Sequence, residues 1–237
     1  MVYYLLLIVG AMLAYWAAKV LLLLACVKSY KKYWTVQNQR PDSDNQLVYY
    51  AIGYSTAQGI GASRPEKSYP YLVARWLEKQ TARPVKLINL SVSGAKIQQA
   101  YDAQLPQMYR EHKPHIVTVA IGANNIEGFK AETFTAEMMN LLRILPRGTY
   151  VADVPCFNGR LKDDNWKVIQ ANEQLHRNLA SMNHHAVALY DETKNNTKFR
   201  FFAADWFHPS TKGYASWANA FEKAMAEHIP ELIELKT

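Results

Sequence analysis

Five short apolar runs, rich in β-branched and aromatic residues, punctuate the chain: Leu47–Gly53, Val85–Leu90, Ile116–Ile121, Tyr150–Val154 and Ala186–Tyr190. The stretches between and after them carry apolar residues at helical spacing. Ser68, with Pro70 in the first turn, predicts a helix start that buries Leu72, Val73, Trp76 and Leu77. Further stripes are Ile97, Tyr101, Leu105 and Met108; Phe134, Met138, Leu141, Leu142 and Leu145; Ile169, Leu175, Leu179 and Met182; and Tyr214, Trp217, Phe221 and Met225. Strict alternation of strand and helix predicts an α/β domain with a parallel sheet and helices on both faces. No repeat or low-complexity segment interrupts it, so one domain spans 47–237.

The segment before it is of another kind. Residues 2–27 carry a single charge, Lys19, and are long enough for a tilted transmembrane helix. Tyr3, Tyr4 and Trp16 on one side, and Tyr30, Tyr33 and Trp34 on the other, fit interfacial aromatics. A cleaved signal peptide fits less well, because no Lys or Arg precedes the apolar run. Leu23-Leu24-Ala25-Cys26 has the form of a bacterial lipobox, which would lipidate Cys26, but Lys19 and the missing basic start argue against it. Residues 1–34 therefore read as membrane anchor and basic juxtamembrane segment, and the polar stretch 35–46 as a linker. Lys28, Lys31, Lys32 and Arg40 all follow the span. The positive-inside rule then places the domain on the cytoplasmic side, with the periplasm as the alternative that Lys19 keeps open.

Much of the net charge of +7 is local to that basic cluster, and no long Lys/Arg run occurs elsewhere. This gives little support to nucleic-acid binding. With 49% hydrophobic and 20% charged residues the chain is not a disordered one. The two cysteines, Cys26 and Cys156, build no disulfide framework in the domain, and no Cys/His cluster has zinc spacing.

Four segments bear chemistry, three of them directly after predicted strands, at the sheet edge where open α/β sheets bind ligands. Gly53-Tyr54-Ser55 follows the first strand, Asn89-Leu90-Ser91-Val92-Ser93-Gly94-Ala95 the second, and Gly122-Ala123-Asn124-Asn125 the third. Asp205-Trp206-Phe207-His208-Pro209 precedes the last helix. A serine hydroxyl becomes a nucleophile when a base takes its proton, and a carboxylate on the far imidazole nitrogen orients that base. Asp205 and His208, three apart, can be presented by one turn, with Ser55 across the edge. The oxyanion needs preorganised donors: the Gly94 N–H, the Asn124 carboxamide and the Ser55 N–H. Taken singly, each segment also reads as an ordinary turn or cap. Ser91 and Ser93 are rival nucleophiles, but neither sits in Gly-x-Ser-x-Gly. The other six histidines lack a paired acid in the sequence and read as solvated or structural.

The order Ser, Gly, Asn, Asp-x-x-His, over roughly residues 47–215, resembles the SGNH hydrolases, the GDSL esterases and lipases. The resemblance implies a three-layer α/β/α, flavodoxin-like fold without metal or organic cofactor. It implies Ser55 as nucleophile, Asp205 and His208 as acid and base, and Gly94 and Asn124 beside the Ser55 N–H as oxyanion donors. Two positions depart from the family pattern: Tyr54 stands where it has aspartate, and Asn125 where Gly-x-Asn-Asp ends in aspartate. The expectation is a membrane-anchored esterase acting on a small-molecule, lipid or glycan ester. The alternatives are an acyltransferase and a non-catalytic, membrane-anchored binding protein on the same fold.

Overall fold

A computed structural model of the chain describes residues 2–110 and 112–234; the last three residues of the predicted domain lie outside that range. The chain opens with α1, Val2–Asn38, and continues through β1 (Leu47–Gly53), α2 (Ser55–Gln58), α3 (Tyr69–Thr81) and β2 (Val85–Asn89). A helical stretch follows, made of α4 (Ile97–Gln99), a π-helical turn (Ala100–Gln104) and α5 (Leu105–Met108). Then come β3 (Ile116–Ala120), α6 (Ala131–Ile144), β4 (Tyr150–Ala152), α7 (Asn165–Leu179), β5 (His185–Val187), α8 (Leu189–Thr193), α9 (Thr211–Ala226) and α10 (Ile229–Glu234).

All five strands are parallel, in the order β2-β1-β3-β4-β5. This is the flavodoxin-like order of a doubly wound sheet. The chain steps one way from β1 to β2 and the other way from β3 to β5. With right-handed crossovers, that reversal sends helices to opposite faces. Accordingly α3 packs on α9, with Tyr69 stacked on Phe221 at 4.9 Å, while α6 packs on α4 and α7. β1 is buried along its whole length, which its unbroken apolar run requires with both faces covered. The reversal also opens a crevice between the carboxyl ends of β1 and β3.

The structure differs from the sequence reading at the edges of elements. The run 186–190 divides: β5 ends at Val187, and 189–193 turn into α8 because Asp153 Oδ1 accepts the Tyr190 N–H at 2.6 Å. On α7 the buried stripe is Val168, Ala171, Asn172, Leu175 and Leu179. Ile169 lies one residue, about 100° of helix, off that stripe and is exposed. Ser68 does stand at the N-cap of α3 with Pro70 in the first turn, but its side chain makes no capping hydrogen bond.

α1 runs four residues into the stretch read as linker. Its first half is exposed and apolar, long enough to cross a membrane. Its second half is part of the domain. Tyr30 and Trp34 are buried, with the Tyr30 hydroxyl donating to Ala62 O (2.9 Å) and Trp34 Nε1 to Gln58 O (3.0 Å). The Asn38 carboxamide pairs with both backbone groups of Asn89, at 3.0 and 2.9 Å. Two more carboxamides do the same at other strand ends: Gln104 pairs with Gly53 N and O (2.9 and 2.8 Å), and Asn172 with Val154 N and O (2.8 and 2.9 Å). A planar amide offers one donor and one acceptor side by side, so each replaces the peptide of a missing neighbouring strand.

Candidate active site

The crevice at the β1/β3 switch point collects all four chemistry-bearing segments. β1 stops at Gly53, where space allows no side chain: a Cβ would sit 2.6 Å from Ala120 O on β3. Tyr54 then forms the N-cap of α2, and Ser55 opens that helix at the carboxyl edge of the sheet. Ser55 Oγ lies 2.8 Å from His208 Nε2, and His208 Nδ1 lies 2.6 Å from Asp205 Oδ2. The serine is buried and the two partners are partly buried.

The segment bearing Asp205 and His208 is a closed turn. Ala203 N–H donates to His208 O (2.8 Å), and Asp205 Oδ1 accepts from Phe207 N and His208 N (3.1 and 3.0 Å). Trp206 adopts φ +55°, the left-handed region that costs a side-chain-bearing residue energy. Its carbonyl is held by Arg160 N–H at 2.8 Å. On the far side Ser210 caps α9 by accepting from Lys212 N and Gly213 N, both at 3.2 Å. Partial burial pushes the Asp205 carboxyl up, but the hydrogen bond and charge of His208, with the two backbone donors, outweigh it. The carboxyl is held below its ordinary value. Asp205 is thus kept as a carboxylate against His208 Nδ1, the arrangement that leaves Nε2 to face Ser55.

The other two segments are tied to this centre. Val92 N–H donates to Gly53 O (3.2 Å), Gln58 Nε2 to Ser91 O (2.9 Å) and Ser93 Oγ to Gln58 Oε1 (2.7 Å). Gly94 stands at the tip of this loop with φ +80°, where glycine is favoured. Asn124, just after β3, donates from Nδ2 to Ala95 O at 3.0 Å, which leaves the second Nδ2 hydrogen for another acceptor. Neither rival serine has a base: the Ser91 hydroxyl is bonded to Asn89 and that of Ser93 to Gln58.

The two departures from the family pattern have structural roles. Asn125 Oδ1 accepts the Ile97 N–H (3.2 Å) at the start of α4, while its Nδ2 donates to Glu137 Oε2 (3.0 Å). Tyr54 is fully buried and its hydroxyl is pushed far above its ordinary value by burial. It lines a largely apolar pocket beside the turn that carries Asp205 and His208, with Phe157, Phe202, Phe207 and Trp217, and neither Ser55 nor His208 is among the lining residues. Two further histidines have an acid after all: His176 Nε2 lies 3.3 Å from Asp153 Oδ2, and His112 Nε2 3.9 Å from Asp42 Oδ1.

Gln58 and Gln104 were not singled out by sequence, although both brace the residues around Ser55. For Gln104 a signal existed. It falls on the apolar face defined by Ile97, Tyr101, Leu105 and Met108, where a polar residue needs a buried partner. Among the described residues no group of three or more His, Cys, Asp or Glu side chains is placed to hold a metal ion.

A flavodoxin-like α/β domain with a serine, histidine and aspartate in hydrogen-bonded sequence at its switch point defines a class of hydrolase folds. Residues 51–216 match the model of the GDSL-like Lipase/Acylhydrolase family, and the chain belongs to that family. Solved structures agree on the fold. A structure titled TesA superimposes with a TM-score of 0.65 at 14% identity, covering 76% of this chain and 99% of that one. A family 3 carbohydrate esterase of Clostridium thermocellum gives 0.62 at 19% identity, covering 79% and 99%. The lipase Lip_vut3 from a goat rumen metagenome gives 0.62 at 17%, covering 75% and 97%. No curated protein matches the sequence.

Proposed function

We propose that the chain is a membrane-anchored serine esterase that hydrolyses carboxylic esters through an acyl-enzyme. The observation that carries this reading is the unbroken relay of Ser55 Oγ to His208 Nε2 (2.8 Å) and His208 Nδ1 to Asp205 Oδ2 (2.6 Å). Ser55 Oγ attacks the acyl carbonyl as its proton passes to His208 Nε2, and the Asp205 carboxylate stabilises the imidazolium. The oxyanion is received by the N–H groups of Ser55 and Gly94 and by the free Nδ2 hydrogen of Asn124. His208 returns the proton to the departing alkoxide. Water then attacks the acyl-enzyme by the same route in reverse and releases the acid. α1 supplies the anchor, and Lys28, Lys31 and Lys32 after its apolar half favour a cytoplasmic domain.

A fluorophosphonate probe, followed by p-nitrophenyl ester hydrolysis, tests the assignment. Wild-type protein is expected to be labelled on Ser55, and Ser55→Ala and His208→Ala to lose ester hydrolysis with the melting temperature retained. Full activity in either variant, or a folded wild type that resists the probe, would sink it.

A further inference from the structure

The contacts along α1 define a direction. Asn38 touches Asn89 at the carboxyl end of β2, Trp34 touches Gln58 next to the site, and Tyr30 reaches Ala62. Fourteen residues earlier, Trp16 Nε1 donates to Ala204 O at 3.0 Å, in the turn that carries Asp205 and His208. The helix thus leaves the domain past the carboxyl edge of the sheet, alongside the catalytic turn, and its apolar first half continues beyond. A span of about 30 Å takes about 20 helical residues. Counted from Tyr3, where the apolar helix begins, it ends near Leu22. Trp16 then lies about 9 Å inside the hydrocarbon boundary on the domain side, not at the far interface with Tyr3 and Tyr4 as the sequence pattern suggests, and Ala204 lies with it, a depth like that of interfacial amphipathic segments.

The surface of segment 198–212 suits that depth. Phe199 is 75% exposed and Trp206 45%, beside Trp16 at 51%. Lys198, Arg200 and Lys212 of the same segment are all exposed, with Arg200 and Lys212 each lying over the Phe201 ring at 5.3 and 5.5 Å. Large aromatic side chains with cations on long aliphatic stems match the boundary between acyl chains and anionic headgroups. These aromatics stand exposed in the segment that Trp16 of the exposed, apolar half of α1 touches, so they add to the apolar surface that the helix presents.

We infer that the catalytic edge of the sheet docks on the lipid bilayer, with the turn around Phe199 and Trp206 immersed beside α1, and that Ser55 takes its acyl ester from a lipid of that same bilayer. The docking part rests on α1 as a membrane span, and the substrate part also on the esterase reading. In this geometry α1 is a positioning device: it holds the crevice at the depth of a glycerolipid ester, so the substrate need not leave the membrane.

The test uses the full chain in vesicles of phosphatidylcholine and phosphatidylglycerol. Both cysteines are replaced by serine, and a single cysteine is placed at Phe199→Cys or, on the opposite edge of the sheet, at Lys113→Cys. Each is labelled with bimane. Brominated acyl chains are expected to quench the label at 199 and leave that at 113 bright. A label at 199 that bromine does not reach overturns the docking, whether it is bathed in water or covered by a second copy detected by cross-linking. Hydrolysis supplies the second arm, with p-nitrophenyl acetate in solution and a fluorogenic phospholipid ester in the vesicles. Phe199→Asp is expected to lower the vesicle rate at least about tenfold, from lost apolar burial, with the p-nitrophenyl acetate rate unchanged. Equal effects on the two rates, or a wild type that cleaves only the soluble ester, overturn the lipid substrate. A wild type that cleaves neither ester overturns the esterase reading, while quenching still decides the docking.

Discussion

Gln104→Leu removes the side chain that finishes β1, two residues before Ser55. Leucine keeps most of the volume but neither hydrogen bond. Gly53 N–H then loses its acceptor at 2.9 Å, whereas Gly53 O keeps the Val92 N–H at 3.2 Å. Gln104 is 1% exposed, so water does not replace the lost partner without opening the core. One buried, unsatisfied N–H costs about 1–3 kcal/mol, and the second, replaceable bond about 0.5–1.5 kcal/mol. The gain from a more apolar side chain offsets part of this, leaving about 2–3 kcal/mol of destabilisation. For a domain of this size that lowers the melting temperature by about 4–12 °C. Thermal melting of the purified full chain in detergent micelles reads the effect. Ester hydrolysis measured well below the melt reads whether Ser55 has moved, as a fall in kcat with KM held. A melting temperature within a degree of wild type would refute the reasoning, because it would mean that Gly53 N–H finds another acceptor.

Three further outcomes are expected. Asp205→Asn keeps the Oδ1 acceptor for Phe207 N and His208 N but loses the anion at His208 Nδ1, so the fold should persist while kcat falls by about 10³–10⁴-fold, and an unchanged kcat would remove Asp205 from the relay. The hydrogen bond to Asp153 raises the His176 pKa against the opposing effect of burial, with the charges of Asp153 and Asp191 adding to the rise. Its stabilisation is therefore fully present below about pH 6.5 and lost as pH rises through the higher folded value, so the melting gap between wild type and His176→Ala should be wide in acid and close in alkali; a gap that widens with pH contradicts this. Removing residues 1–27 should leave a stable domain, whereas removing 1–38 also strips the buried Trp34 and the Asn38–Asn89 pair and should cost at least about 3 kcal/mol; equal melting of the two truncated forms would show that the second half of α1 is not part of the domain.

The class of fold is legible in the amino-acid order alone. Strands buried on both faces must be continuously apolar, and helices packed on one side must carry a stripe, so Leu47–Gly53 or the Phe134–Leu145 stripe can be read without coordinates. The amino-acid order also marks Ser55, Gly94 and Asn124 as candidates, because turns after strands stand out as small and polar residues against apolar runs, and Asp205 and His208 by their three-residue spacing before the last helix. What it could not supply were relations between distant residues. Asn38 looks like any other polar residue until tertiary structure places it against an open strand end, and the position of Gln104 on an apolar face says that it needs a partner but not that the partner is Gly53. The end of α1 was misplaced for the same reason: residues 35–38 have no periodicity of their own, and their helix is stabilised by what Trp34 and Asn38 meet on the domain. Local pattern encodes which face of an element is buried. The partner on that face, and the side of the domain past which α1 leaves, are decided only when segments far apart in sequence compete for the same space.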